Sequence, residues 1–157
     1  MQILLTLLHR ATFVLACIVG LAACSSSSST RGSVSPRVDH VLAVAEDLLG
    51  TSYCAAGSTP DCFDCSGFVT YCFSDIGIEL PRTARAMYEQ GRQVERGSIR
   101  PGDLVFFRTN GTSISHVGIL INATSFIHSS TSRGVMISPL TDSYWAPRYV
   151  GACRVSN

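Results

Sequence analysis

Residues 64–77 run Asp64-Cys65-Ser66-Gly67-Phe68-Val69-Thr70-Tyr71-Cys72-Phe73-Ser74-Asp75-Ile76-Gly77. Phe68, Val69, Cys72, Phe73 and Ile76 recur at the three- and four-residue spacing of a helix with one apolar face. Asp64 stands where an N-cap carboxylate accepts backbone N–H groups, and Gly77 stands as the stop. Cys65 therefore falls on the first helical turn. Backbone N–H groups there lack helical partners, and the dipole favours an anion. A free thiol with a pKa of about 8.5 is only about 3% thiolate at pH 7. A helix N-terminus or a neighbouring charged histidine lowers that pKa, and the same N–H groups can stabilise a tetrahedral oxyanion. Gly67 keeps the turn uncrowded. Cys65 is the candidate nucleophile, weighed against the plainer role of a small buried residue at a helix start.

Upstream, Val38, Val41, Leu42, Ala45, Leu48 and Leu49 mark another helical face, closed by Gly50. Thr51 to Asp64 holds Gly57, Pro60 and two cysteines without periodicity, which predicts a loop. Downstream, Thr83 to Gln90 fits a third, shorter helix before Gly91. The pattern then changes. Leu104–Arg108, His116–Ile121, Ser125–Ser129, Val135–Ser138 and Tyr149–Val155 are short runs rich in Val, Ile and Phe between Gly, Asn or Pro signals. Helices first and strands after predict an α+β fold with an antiparallel sheet of about five strands.

A cysteine nucleophile needs a base. His40, on the polar side of the first helix, reads as an exposed helix residue. His116 opens one predicted strand and His128 lies on the next, with a short turn around Asn122 and Ala123 between them. Their equal parity about that turn lets both side chains share one face at cross-strand distance. This suits a base, His116, whose ring is fixed by a partner, His128. Two other chemistries compete for the same cysteine. Cys62-Phe63-Asp64-Cys65 is a Cys-x-x-Cys, yet a redox couple of that kind follows a strand in a βαβ unit, and here an irregular loop precedes it. Zinc could recruit Cys54, Cys62, Cys65 and a histidine, but the spacing matches no closed site. No metal and no cofactor are expected.

Ala11 to Ala23 is a run of thirteen small or apolar residues without charge. A bilayer span needs about twenty, so this suits the hydrophobic region of a secretory signal. Its end, Leu21-Ala22-Ala23-Cys24, resembles a bacterial lipobox, which implies acylation of Cys24, a membrane-held chain and Ser25-directed sorting to the outer membrane, facing the periplasm. Ser25 to Pro36 is a Ser-rich tether. The expected organisation is thus a leader over 1–23, lipidated Cys24 with tether over 24–36, and one domain over 37–157. Without the leader, eleven arginines face eleven acids and there is no lysine, so nucleic acid is not an expected partner. In an oxidising compartment Cys54, Cys62, Cys65, Cys72 and Cys153 are an odd set; with one thiol free, the rest allow two disulfides in three pairings.

Gly50-Thr51-Ser52-Tyr53, Asp64-Cys65-Ser66-Gly67-Phe68, Leu80-Pro81-Arg82-Thr83, Pro101-Gly102-Asp103-Leu104-Val105-Phe106-Phe107, Ser115-His116-Val117-Gly118-Ile119, Phe126-Ile127-His128-Ser129-Ser130, Ser132-Arg133-Gly134-Val135 and Tyr144-Trp145 together resemble the NlpC-type cysteine peptidases of bacterial cell walls. The likeness runs in order from about residue 38 to 155 and is nearest to the Spr-like branch of murein endopeptidase lipoproteins. It implies a papain-like fold and hydrolysis of peptidoglycan peptide stems or crosslinks by a monomer. Carried over, Cys65 is nucleophile, His116 base and His128 third triad member. Tyr53 borders the oxyanion site. Asp64 and Ser66 match positions that bind a muropeptide amine in some members. Arg82 serves either a substrate carboxylate or local structure. Alternatives are another papain-like thiol acyl-transfer enzyme, or a non-catalytic wall-binding module, which would lack a triad member. The sequence departs from the family pattern at Cys54, Ala56, Cys62, Met87 and Cys153. A Cys54–Cys62 disulfide would keep Cys62 away from Cys65, whereas a Cys62–Cys65 bond would silence the nucleophile; the sequence leaves both open.

Overall fold

Pro36 opens the first helix, α1 (Pro36–Asp47), its fixed φ suiting a first-turn position. The computed structural model describes residues 35–155. The leader, Cys24 and the tether through residue 34 lie outside the described residues, among which no helix is long and apolar enough to cross a membrane. Val41 and Ala45, one turn apart, are fully buried, and this face packs on α2 (Cys65–Ser74). α1 stops short of Leu49, and Gly50 turns the chain with a φ of 85°.

The stretch predicted as loop contains a small antiparallel hairpin, β1 (Ser58–Thr59) with β2 (Cys62–Phe63). Strands of two residues are too short to show alternation. α2 then begins where the capping pattern places it: Asp64 accepts the Gly67 N–H at 2.7 Å, and Phe68, Val69, Cys72 and Phe73 are buried. It ends at Ser74, before Ile76. Thr83 caps α3 (Ala84–Gln90), accepting the Ala86 N–H.

The rest is a six-stranded antiparallel sheet in the order β3-β8-β4-β5-β6-β7. Its strands are β3 (Arg92–Val94), β4 (Leu104–Phe107), β5 (His116–Leu120), β6 (Ser125–Ser130), β7 (Gly134–Pro139) and β8 (Tyr149–Arg154). Five match the sequence reading. The sixth, β3, is a largely exposed edge strand whose Arg92 and Gln93 carry no apolar alternation. The α+β architecture is otherwise as expected.

The period-two alternation of the strands divides two cores. Leu104, Phe106, Val117, Ile119 and Ile127 meet α1 and α2 on one face. Val105, Phe107, Leu120, Phe126 and Ala152 meet Leu140 and Trp145 on the other. α2 packs against β5 and β6, which sets its N-terminus beside the strands carrying both histidines. Arg154 clamps Asp103 through two bonds of 2.7 and 2.8 Å, and the Arg100 N–H adds a third to the same carboxylate. This satisfied buried pair ties the start of β4 to the end of β8, away from the nucleophile.

Candidate active site

Cys65 sits at the first position of α2, partly buried, with its thiol donating to the Ser115 carbonyl at 3.8 Å. The N–H groups of Val117, Ser66 and Cys65 itself also reach the sulfur. Ser115 and Val117 flank His116, so the sulfur lies against the backbone that carries the expected base. Burial pushes the Cys65 thiol up from its ordinary value, and the neighbouring Asp64 charge pushes the same way; the N–H groups only oppose this. This corrects the expectation of a thiol acidified by its helix terminus. The helix field is present, but desolvation of the anion outweighs it.

His116 and His128 are brought together. His116 Nε2 lies 3.0 Å from His128 Nδ1, and His128 Nε2 lies 3.0 Å from Ser138 Oγ. The register Ile119↔Ile127 sets His128 level with Gly118, so the two histidines meet diagonally rather than squarely. A Cβ on Gly118 would lie 2.6 Å from Phe126 Cδ2 and 3.1 Å from His128 Cβ. The bare glycine is therefore what lets the His128 ring reach across. Trp145 stacks on His116 at 4.8 Å between centroids and meets His128 edge-on at 4.9 Å. In this setting burial pushes His116 down to about 4. Burial, then His116 and Arg133, push His128 down to about 3. Both rings are neutral at pH 7.

Arg82, Asp64 and Ser66 form one network. Arg82 donates through Nη1 to Asp64 Oδ1 and Ser66 Oγ, each at 2.9 Å, and through Nη2 to Asp64 Oδ2 at 2.6 Å and the Gly57 carbonyl at 3.3 Å. Ser66 Oγ also donates to Asp64 Oδ1 at 3.1 Å. Burial would raise the Asp64 carboxyl, but Arg82, the Gly67 N–H and Ser66 together hold it below the ordinary carboxylate range. Of the two roles the sequence left to Arg82, these bonds supply the local one. They brace the cap from which Cys65 projects.

Tyr53 pairs with Phe63 in an isolated bridge and stands near Cys65 and Asp64. Burial, then those two charges, raise its hydroxyl, so it remains a hydrogen-bond donor. The loop between Tyr53 and Cys65 is closed by a disulfide joining Cys54 to Cys62. Ala56 takes a φ of 61° inside it, in the left-handed region that favours glycine. Cys72 and Cys153 are fully buried thiols, leaving Cys65 as the accessible one among the described residues. No cluster of His, Cys, Asp or Glu that could hold a metal occurs among the described residues. His40 pairs with Asp75 on the outer surface.

Ser138 and Trp145 were not singled out as site residues by sequence. The signal for Ser138 was parity: it shares a face with His128 once β6 and β7 pair as His128↔Met136. Trp145 lies in an irregular segment, where no periodicity aims a side chain.

The NlpC/P60 family model matches residues 50–154. Murein DD-endopeptidase MepS/murein LD-carboxypeptidase of Escherichia coli K12 is 46% identical over 110 residues, covering 69% of this chain and 58% of that protein. A probable endopeptidase NlpC homolog of Haemophilus influenzae is 41% identical over 119 residues, covering 74% and 63%. The chain thus spans about three fifths of the length of these curated relatives. Among solved structures, an NlpC/P60 family protein from Bacillus cereus superposes with a TM-score of 0.71 at 32% identity, covering 74% of this chain and 39% of that one. With the family pattern, the papain-like fold and the cysteine–histidine site in agreement, the chain belongs to the NlpC/P60 family.

Proposed function

We propose that this protein is a cysteine endopeptidase of peptidoglycan, cutting amide bonds in peptide stems or their crosslinks. The observation that carries this reading is the line from Cys65 at the head of α2, past His116, to His128 and Ser138. The names of the relatives, murein endopeptidases and peptidoglycan hydrolases among them, supply the substrate class.

His116 Nε2 is engaged by His128, so Nδ1 is the nitrogen left to receive a proton. Both partners begin neutral, so the Cys65 proton moves to His116 as sulfur attacks the carbonyl carbon. The oxyanion meets the N–H of Cys65 and the Tyr53 hydroxyl. The C–N bond breaks, the amine leaves with the proton held on His116, and a thioester remains on Cys65. Water, losing its proton to His116, then releases the carboxylate and restores the thiol. His128 accepts from the protonated His116 through Nδ1, which requires its own proton on Nε2, facing Ser138. Asp64, Ser66 and Arg82 hold the cap; a free substrate amine at Asp64 would have to share its oxygens with Arg82. The Leu21-Ala22-Ala23-Cys24 run, with Ser25 after it, supports an exported, lipid-anchored protein on the periplasmic face of an outer membrane.

Digestion of defined crosslinked and uncrosslinked muropeptides by the purified protein, with mass analysis of the products, tests this. Cleavage at a stem or crosslink amide that is lost in Cys65→Ala is expected; cleavage retained in that variant contradicts it.

A further inference from the structure

The relay behind Cys65 contains no carboxylate. His116 bonds His128, His128 bonds Ser138, and among the described residues no acid bonds either ring. Once His116 takes the Cys65 proton it carries a positive charge, at a position where burial disfavours one. The groups packed on that ring are aromatic. Trp145, itself buried, stacks on His116 with 4.8 Å between centroids and 29° between planes. Phe107 backs the indole at 4.8 Å and reaches His116 at 6.2 Å. A cation within about 6 Å of an aromatic centroid is attracted to the π electrons, and more strongly where water is excluded. Of the charged groups lining the cavity beside the rings, Arg133 opposes a cation there, and Asp142 bonds the Tyr144 N–H rather than a histidine. A tight turn seats the indole: Ala146 N–H donates to the Asp142 carbonyl at 2.8 Å, and Arg148 N–H to the Trp145 carbonyl at 3.0 Å.

We propose that Trp145 is a positioning residue for the reaction, its π face stabilising the His116 imidazolium that forms when Cys65 attacks. The indole thus takes the part that a carboxylate plays beside a catalytic histidine. The inference rests on the endopeptidase reading and concerns one step of it. The sulfur electron pair forms the S–C bond, the thiol proton passes to His116 Nδ1, and the positive charge spreads over the ring stacked on Trp145.

Trp145 is the sole tryptophan of the chain, so expression with mono-, di- or trifluorotryptophan alters this ring alone. Fluorine withdraws π density with little change of shape. Two rates are read on the full-length protein at pH 7. One is kcat for muropeptide cleavage. The other is alkylation of Cys65 by iodoacetamide, in which the same proton passes to His116 as sulfur bonds carbon and iodide leaves. Both are expected to fall stepwise with fluorine number, by about tenfold at trifluorotryptophan, with the denaturation midpoint unchanged. Trp145→Phe, which keeps a weaker π face, should react more slowly than wild type and faster than Trp145→Leu. Alkylation that is flat across the fluorinated series, or rates that follow the denaturation midpoint instead of fluorine number, overturns the proposal. Graded alkylation without cleavage of any muropeptide contradicts the endopeptidase reading and leaves the role of Trp145 standing.

Discussion

His116 and His128 share a 3.0 Å hydrogen bond across β5 and β6, and the far side of His128 bonds Ser138 at the same distance. A base acting through Nδ1 needs its other nitrogen to donate once protonated, so His128 has to present a lone pair there. Ser138 sets that tautomer by accepting from Nε2. Ser138→Ala is expected to lower kcat about 10-fold with little change in KM, about 1.4 kcal/mol. An unchanged kcat in steady-state muropeptide cleavage would remove Ser138 from the relay.

The neutral thiol and imidazole give a distinct pH signature. Thiolate absorbance near 240 nm, taken as wild type minus Cys65→Ala, should show no step below the ordinary thiol range, because burial pushes the Cys65 thiol up. A step well below the usual thiol range would mean a resting ion pair instead. Stability follows the histidines. Unfolded histidine titrates near 6.5, whereas burial holds His116 down at about 4 and His128 at about 3. Between those values the unfolded chain binds more protons, so stability falls as pH drops below about 6.5. Each histidine contributes up to about 1.4 kcal/mol per pH unit across its window. Denaturant melts of wild type and His128→Gln from about pH 7 to 4 should show the variant losing less stability on acidification; parallel losses would count against a neutral buried His128.

Gly118 is where the site is most sensitive to one methyl group. Its missing Cβ leaves room against Phe126 and His128. Gly118→Ala is expected to cost about 1–3 kcal/mol in a thermal or denaturant melt and to reduce activity beyond that loss. Full activity in the folded variant would show that His128 does not need this approach.

The Cys54–Cys62 disulfide closes the loop that carries Tyr53 to the nucleophile. Replacing both cysteines by serine should lower stability by about 2–3 kcal/mol, on the chain-entropy account of a short closed loop. It should also lower kcat, because Tyr53 and the Asp64 cap lose a common anchor. Unaltered kcat in the double variant would assign the disulfide to stability alone.

Much of this site is legible in the sequence because short-range rules govern it. Asp64 before an apolar face places Cys65 at a helix start, and equal parity about a short turn places His116 and His128 on one face. What packing decides is hidden. β3 is a polar edge strand without alternation, and β1 and β2 are too short to have any. The shift of the Cys65 thiol depends on how deeply α2 buries it against β5, so the helix field visible in the sequence gives the wrong sign. Arg82 is separated from Asp64 by eighteen positions, and nothing local tells that its guanidinium closes on the cap. Trp145 comes from a segment with no regular period, yet it covers both histidine rings.

The central claim is that Cys65 is the one reactive thiol and that the reaction runs through it. Intact-protein and peptide mass spectrometry of the folded protein, treated with iodoacetamide while muropeptide cleavage is followed, tests this most directly. A single adduct on Cys65, formed in step with the loss of cleavage and slowed by substrate, is the predicted result. Complete alkylation of Cys65 with cleavage retained would contradict it.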